Sequence, residues 1–72
     1  MLHATLVQRL EAFGCTLLER DEAGDFWDAP PGSLPFRIPD PDSTGEVDDD
    51  VLHIALVNQW CSAEMIRFVL GR

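Results

Sequence analysis

Two cysteines, Cys15 and Cys61, and two histidines, His3 and His53, are the thiols and imidazoles of this 72-residue chain. Nucleophilic catalysis needs a nucleophile, a base and an orienting group within hydrogen-bond reach. His53 and Cys61 fall on one proposed helix, eight residues or about 12 Å apart along its axis, too far to pair directly. His3 sits in the first turn of another helix, where an imidazole is ordinarily solvated. There is no CxxC metal spacing and no glycine-rich phosphate loop. Thirteen acidic residues single out no pair for glycoside chemistry, and so small a domain has little room for a substrate cleft. The chain is expected to be neither an enzyme nor a cofactor carrier.

The acidic segment Asp40-Pro41-Asp42-Ser43-Thr44-Gly45-Glu46-Val47-Asp48-Asp49-Asp50-Val51 resembles the calcium loop of EF-hand proteins. Carboxylates stand at the first and third positions, an oxygen-bearing Thr44 at the fifth, glycine at the sixth, apolar Val47 at the eighth and Asp48 at the ninth. The resemblance implies Asp40, Asp42, Thr44, Glu46 and Asp48 as ligands. Val51 occupies the position of the bidentate glutamate, and the preceding segment has a strand pattern where the family has a helix. The competing expectation is an acidic turn that caps a helix.

That helix is the element around which the others are placed. Val51-Leu52-His53-Ile54-Ala55-Leu56-Val57 is the longest apolar run, and Asp48-Asp49-Asp50 precede it, where unpaired N–H groups and the positive dipole end favour carboxylates. A helix over Asp48 to Trp60 would place Val51, Ile54, Ala55 and Cys61 on one face and Leu52, Leu56 and Trp60 on an adjoining one, packed on two sides. A buried strand is the alternative, because Val51, Ile54 and Val57 are β-branched.

Upstream, Leu2, Leu6, Val7, Leu10 and Phe13 recur at helical spacing and Gly14 follows as a stop. Cys15 to Arg20 and Asp25 to Ala29 predict a hairpin around Asp21-Glu22-Ala23-Gly24. Pro30-Pro31-Gly32-Ser33 breaks the chain. Leu34, Phe36 and Ile38 then alternate with Pro35, Arg37 and Pro39, which predicts an edge strand guarded by proline against strand addition. Downstream, Ser62 is a candidate N-cap and Gly71 a C-terminal stop for a last helix, with a break near Cys61-Ser62. The expected architecture is a single α+β domain over residues 1–72, order α-β-β-β-α-α, with helices on one face of a three-stranded antiparallel sheet.

The helix ending at Gly14, the strand Thr16–Arg20, the Gly24 turn, the aromatic second strand, the Pro31-Gly32 turn and Phe36-Arg37-Ile38-Pro39 together resemble the small HicA-type toxins. The resemblance implies a scaffold similar to the double-stranded-RNA-binding domain. In that family a Gly-Ser-His hairpin motif supplies the histidine for mRNA cleavage; here the stretch is Gly24-Asp25-Phe26. An active or degenerate mRNA interferase is the activity it implies, with the histidine and the basic RNA-facing surface both missing.

Net charge decides the expected partner. Thirteen acidic against five basic residues, with no Lys, give −8, which disfavours a polyanion and suits a basic protein surface. Hydrophobic content of 46% supports a folded core rather than an acidic tail. No apolar run approaches the ~20 residues that span a bilayer, the start Met1-Leu2-His3-Ala4 lacks a leader pattern, and two cysteines among apolar residues suit free thiols; the expected location is cytoplasmic. We expect a non-enzymatic binding module, monomeric or a small homo-oligomer, that docks on a basic nucleic-acid-handling protein. By size and charge it is analogous to antitoxins and to small phage inhibitors of host defence, including anti-CRISPR proteins. Asp40, Asp42, Glu46 and Asp48 to Asp50 would form its acidic face, and Trp27, between Asp25 and Asp28, its exposed aromatic anchor.

Overall fold

The computed structural model describes residues 1–22, 24–31 and 34–71. Among them run α1 (His3–Phe13), β1 (Thr16–Asp21), β2 (Gly24–Asp28), β3 (Phe36–Ile38), α2 (Asp49–Asn58) and α3 (Ala63–Leu70). The strands form one antiparallel sheet in the order β1-β2-β3. The small α+β domain and its α-β-β-β-α-α order are those expected from the sequence. Ala23 of the hairpin turn and Gly32-Ser33 of the following break lie outside the described residues.

Local signals set the helix ends. Asp48 caps α2, its Oδ1 accepting from the N–H groups of Asp50 (2.9 Å) and Val51 (3.1 Å). Ser62 caps α3 through Oγ, which accepts from Met65 N–H at 3.1 Å. The chain breaks between these helices, as Ser62 predicts. Gly14 closes α1 in the left-handed region (φ 101°), its N–H donating to Glu11 and that of Cys15 to Leu10. This pair of bonds is the Schellman arrangement, and glycine is its inexpensive occupant.

α1 starts without a side-chain cap. Instead His3 N–H donates to Gly45 O (2.8 Å), Val47 N–H donates to Met1 O (2.7 Å), and Leu2 bridges Glu46. The terminal ammonium donates to Val47 O (2.8 Å) and Asp49 Oδ1 (2.9 Å), with Glu46 at 3.4 Å. Hydrogen bonding to Asp49, against some desolvation, raises its pKa above the usual 8.0. A group titrating higher folded than unfolded stabilises fully below its unfolded value and loses that contribution as pH rises through the folded one. The thermal midpoint is therefore expected to fall as pH is raised above about 8. N-acetylated chain should lack part of that slope; the raised values of the two thiols act in the same direction and remain. Identical slopes with and without the acetyl group would show that the ammonium contributes nothing.

One sheet face carries Trp27, Phe36 and Ile38, which are buried with Leu6 and Leu10 of α1, Leu52 and Leu56 of α2, and Met65, Ile66 and Val69 of α3. On the other face Arg37 lies over the Phe26 ring (4.9 Å) and pairs with Asp21 at 2.8 Å. Leu17 pairs with Trp27 and Glu19 with Phe26, so Leu18 is an extra, exposed residue in β1. Leu34, expected beside Phe36 and Ile38, precedes the three-residue strand and is exposed.

β3 is an edge, as its prolines predict, yet a side chain covers it. Gln59, just past α2, accepts from Arg37 N–H through Oε1 (2.7 Å) and donates from Nε2 to Arg37 O (2.6 Å). Its amide imitates a neighbouring strand and satisfies both outward backbone groups of the middle residue.

Candidate functional site

α2 is not enclosed on two sides. Leu52 and Leu56 face the core, while Val51, Ile54 and Val57 are exposed, Ile54 at 61%. Asp50, Ile54 and Val57 follow at spacings of four and three and therefore share one outward line. A carboxylate thus heads a row of β-branched side chains on the surface.

Trp60, a further exposed apolar residue, follows just beyond the helix. Its N–H donates to Val57 O (3.1 Å), and Cys61 N–H donates to Leu56 O (3.1 Å). These are the bonds that Gly14 and Cys15 make at the end of α1. Trp60 thus holds the left-handed position of a Schellman end, at φ 64°, the one non-glycine with positive φ among the described residues. A side chain there costs roughly 1–2 kcal/mol in backbone sterics. Burial returns almost nothing, because Trp60 is 86% exposed. Gln59 immediately before it is clamped to β3, so the indole projects from a fixed backbone.

The expected aromatic anchor is therefore corrected. Trp27 is 1% exposed and belongs to the core, because alternation along β2 puts it on the inner face with its neighbours Leu17 and Phe36. Asp25 shares that face and is buried too. His3 Nε2 lies 3.1 Å from its Oδ2 and Arg20 Nε 3.5 Å from its Oδ1. Neither Asp25 nor Trp27 is available to a partner in this conformation, whereas Asp28 points outward.

The remaining sequence-predicted carboxylates divide by task. Asp48 caps α2, and Asp49 and Glu46 hold the ammonium. Asp42 Oδ1 accepts from Thr44 Oγ1 (2.6 Å), Thr44 N–H (2.8 Å) and Glu46 N–H (3.1 Å), bonds that hold its pKa below the usual 3.8, the Thr44 hydroxyl foremost. Asp40 and Asp50 are exposed. Of the calcium-loop residues Asp40, Asp42, Thr44, Glu46 and Asp48, Asp42 is hydrogen-bonded to Thr44 within the turn, Glu46 lies at the ammonium and Asp48 caps α2, and no three His, Cys, Asp or Glu side chains among the described residues are grouped to hold a metal ion. The loop serves as a turn that clasps the chain start and caps α2.

His3, expected to be solvated, is partly buried against Asp25, a pairing across 22 residues with no local signal. Among the described residues no hydroxyl or thiol is hydrogen-bonded to either imidazole. Burial, with smaller contributions from Cys61 and Asp28, pushes the Cys15 thiol up to about 11, and burial also raises Cys61. Both cysteines are free and unactivated at neutral pH. Among the described residues no helix is long and apolar enough to cross a membrane.

Comparison with protein-family models, with curated proteins and with solved structures gives no match.

Proposed function

We propose that this chain is a small acidic, non-enzymatic binding module that docks on the basic surface of another protein through the outer face of α2 and Trp60. The observation that carries this reading is a tryptophan held in a left-handed backbone position and left in solvent, where glycine would serve the fold at lower cost. Tryptophan is a common anchor of binding energy, and Val51, Ile54 and Val57 extend its apolar surface. Charge selects the occupant. A second copy would bring −8 against −8 and Asp50 against like charge, whereas a basic surface attracts both. A nucleic-acid-handling protein has such a surface, and covering it would inhibit or regulate that partner.

The test is capture from a lysate of the organism that encodes the chain, with bound proteins identified and quantified for wild type and for Asp40→Asn/Asp50→Asn. These carboxylates are chosen because Asp42, Asp48 and Asp49 have structural tasks. One basic protein should be captured, its yield falling several-fold in the double variant and falling again as salt rises to about 0.5 M. Capture indifferent to both, or RNA cleavage by the isolated chain, would sink the reading, the latter in favour of a HicA-type ribonuclease.

A further inference from the structure

The sequence leaves little room for a cleft, yet one of about 390 Å³ opens between α1 and β1. Val7 and Glu11, one turn apart on α1, and Thr16, Leu17 and Arg20 of β1 line it, together with Cys15 and Trp27. Four properties of this lining narrow what it would take.

Trp27 Nε1 is buried without a hydrogen-bond partner. An unpaired buried donor is a standing penalty, and buried indoles ordinarily have an acceptor. Arg20 meets Asp25 only through Nε, at 3.5 Å, which leaves the terminal nitrogens that make the guanidinium fork for a carboxylate. Arg20 is 62% exposed at the cleft rim, so the fork can turn inward without breaking the core. Val7, Leu17 and the indole supply an apolar wall between these donors, and the neutral Cys15 thiol adds no charge against an anion. Glu11 on the opposite side disfavours a second carboxylate.

We propose that the α1–β1 cleft binds a small monocarboxylate with an apolar body, its carboxylate held by Arg20, its body against Val7 and Leu17, and an acceptor brought to the indole N–H of Trp27. Nε1 is buried, so an acceptor on the ligand reaches it only by displacing the groups that cover it, and binding then gives the nitrogen its missing partner. This site is separate from Trp60 and does not depend on the docking face.

Trp60→Phe leaves Trp27 as the one tryptophan and makes its fluorescence a reporter of the cleft. Hexanoate is the probe, with hexanamide as the uncharged body and adipate as the dicarboxylate. Hexanoate should produce a saturable change in Trp27 emission and raise the thermal midpoint. Hexanamide and adipate should bind at least about tenfold more weakly, as should Arg20→Gln and Arg20→Lys variants made in the same background. Arg20→Lys keeps the charge and removes the fork, and a melt of each variant confirms the fold. No saturable response to hexanoate at about 10 mM, a range covering weak small-ligand affinities, would overturn the proposal. Equal binding of hexanamide, or undiminished binding by both Arg20 variants, would do the same.

Discussion

Trp60→Gly is expected to leave the fold slightly more stable and to weaken docking severely. The left-handed backbone at Trp60 costs an ordinary residue about 1–2 kcal/mol, and glycine's greater freedom in the unfolded chain offsets about 0.4–1 kcal/mol of the relief. The side chain removed is 86% exposed, so little packing is lost. The urea midpoint should therefore rise by the equivalent of about 0.5–1 kcal/mol at unchanged slope. Binding to the captured partner should weaken by at least about 2 kcal/mol, roughly 30-fold, as befits an anchor residue. Stability and binding move in opposite directions, a pattern that general damage to the fold cannot produce. A fall in stability would refute the strain at this position, and unchanged affinity would refute the anchor.

Gly24→Ala carries the largest expected effect on folding. Gly24 opens β2 at φ 106° opposite Asp21, and a Cβ there would press into the carbonyl oxygen of Ile38 on β3. Backbone, not a flexible side chain, is what it meets. Either β3 moves away, losing the Asp25–Ile38 pairing and uncovering Phe36 and Ile38, or the hairpin distorts. We expect a loss of about 3 kcal/mol or more. A 72-residue domain has roughly 4–11 kcal/mol in all, so the variant should be partly unfolded near 37 °C. Circular dichroism through a urea titration measures this, and a loss below 1 kcal/mol would mean that β3 yields easily.

Much of this architecture is written locally. Gly14, Asp48, Ser62 and Gly71 mark helix ends through bonds to groups within a few residues, and a sequence reader can find such ends unaided. The orientation of the tryptophans is not local. Trp27 turns inward because of β2's register against two neighbours, one of them carrying an extra residue at Leu18. The flanking Asp25 suggested solvent, but its companions are His3 and Arg20, the former 22 residues away. Trp60 turns outward because α2 stops at Asn58, two residues sooner than its apolar pattern, so the residue expected on a packed face becomes the left-handed cap. The acidic loop was legible as a cap, through Asp48, but its clasp on the ammonium joins residues 48 apart. The exposed apolar face of α2, proposed above for docking, is visible in sequence only as an unexplained surplus of apolar residues.

Gln59 has a consequence for how the protein is made. It covers Arg37 from 22 residues downstream. A ribosome adding about 5–20 residues per second needs roughly 1–4 s to cross that distance. During that interval every strand has been synthesised, while the residue that will close the open edge has not. Pro35 and Pro39, on either side of a strand only three residues long, bar other chains from adding to it whenever Gln59 is not in place. The prolines and the glutamine guard the same edge in different states, the prolines even before the chain has folded and Gln59 once α2 has packed against β3.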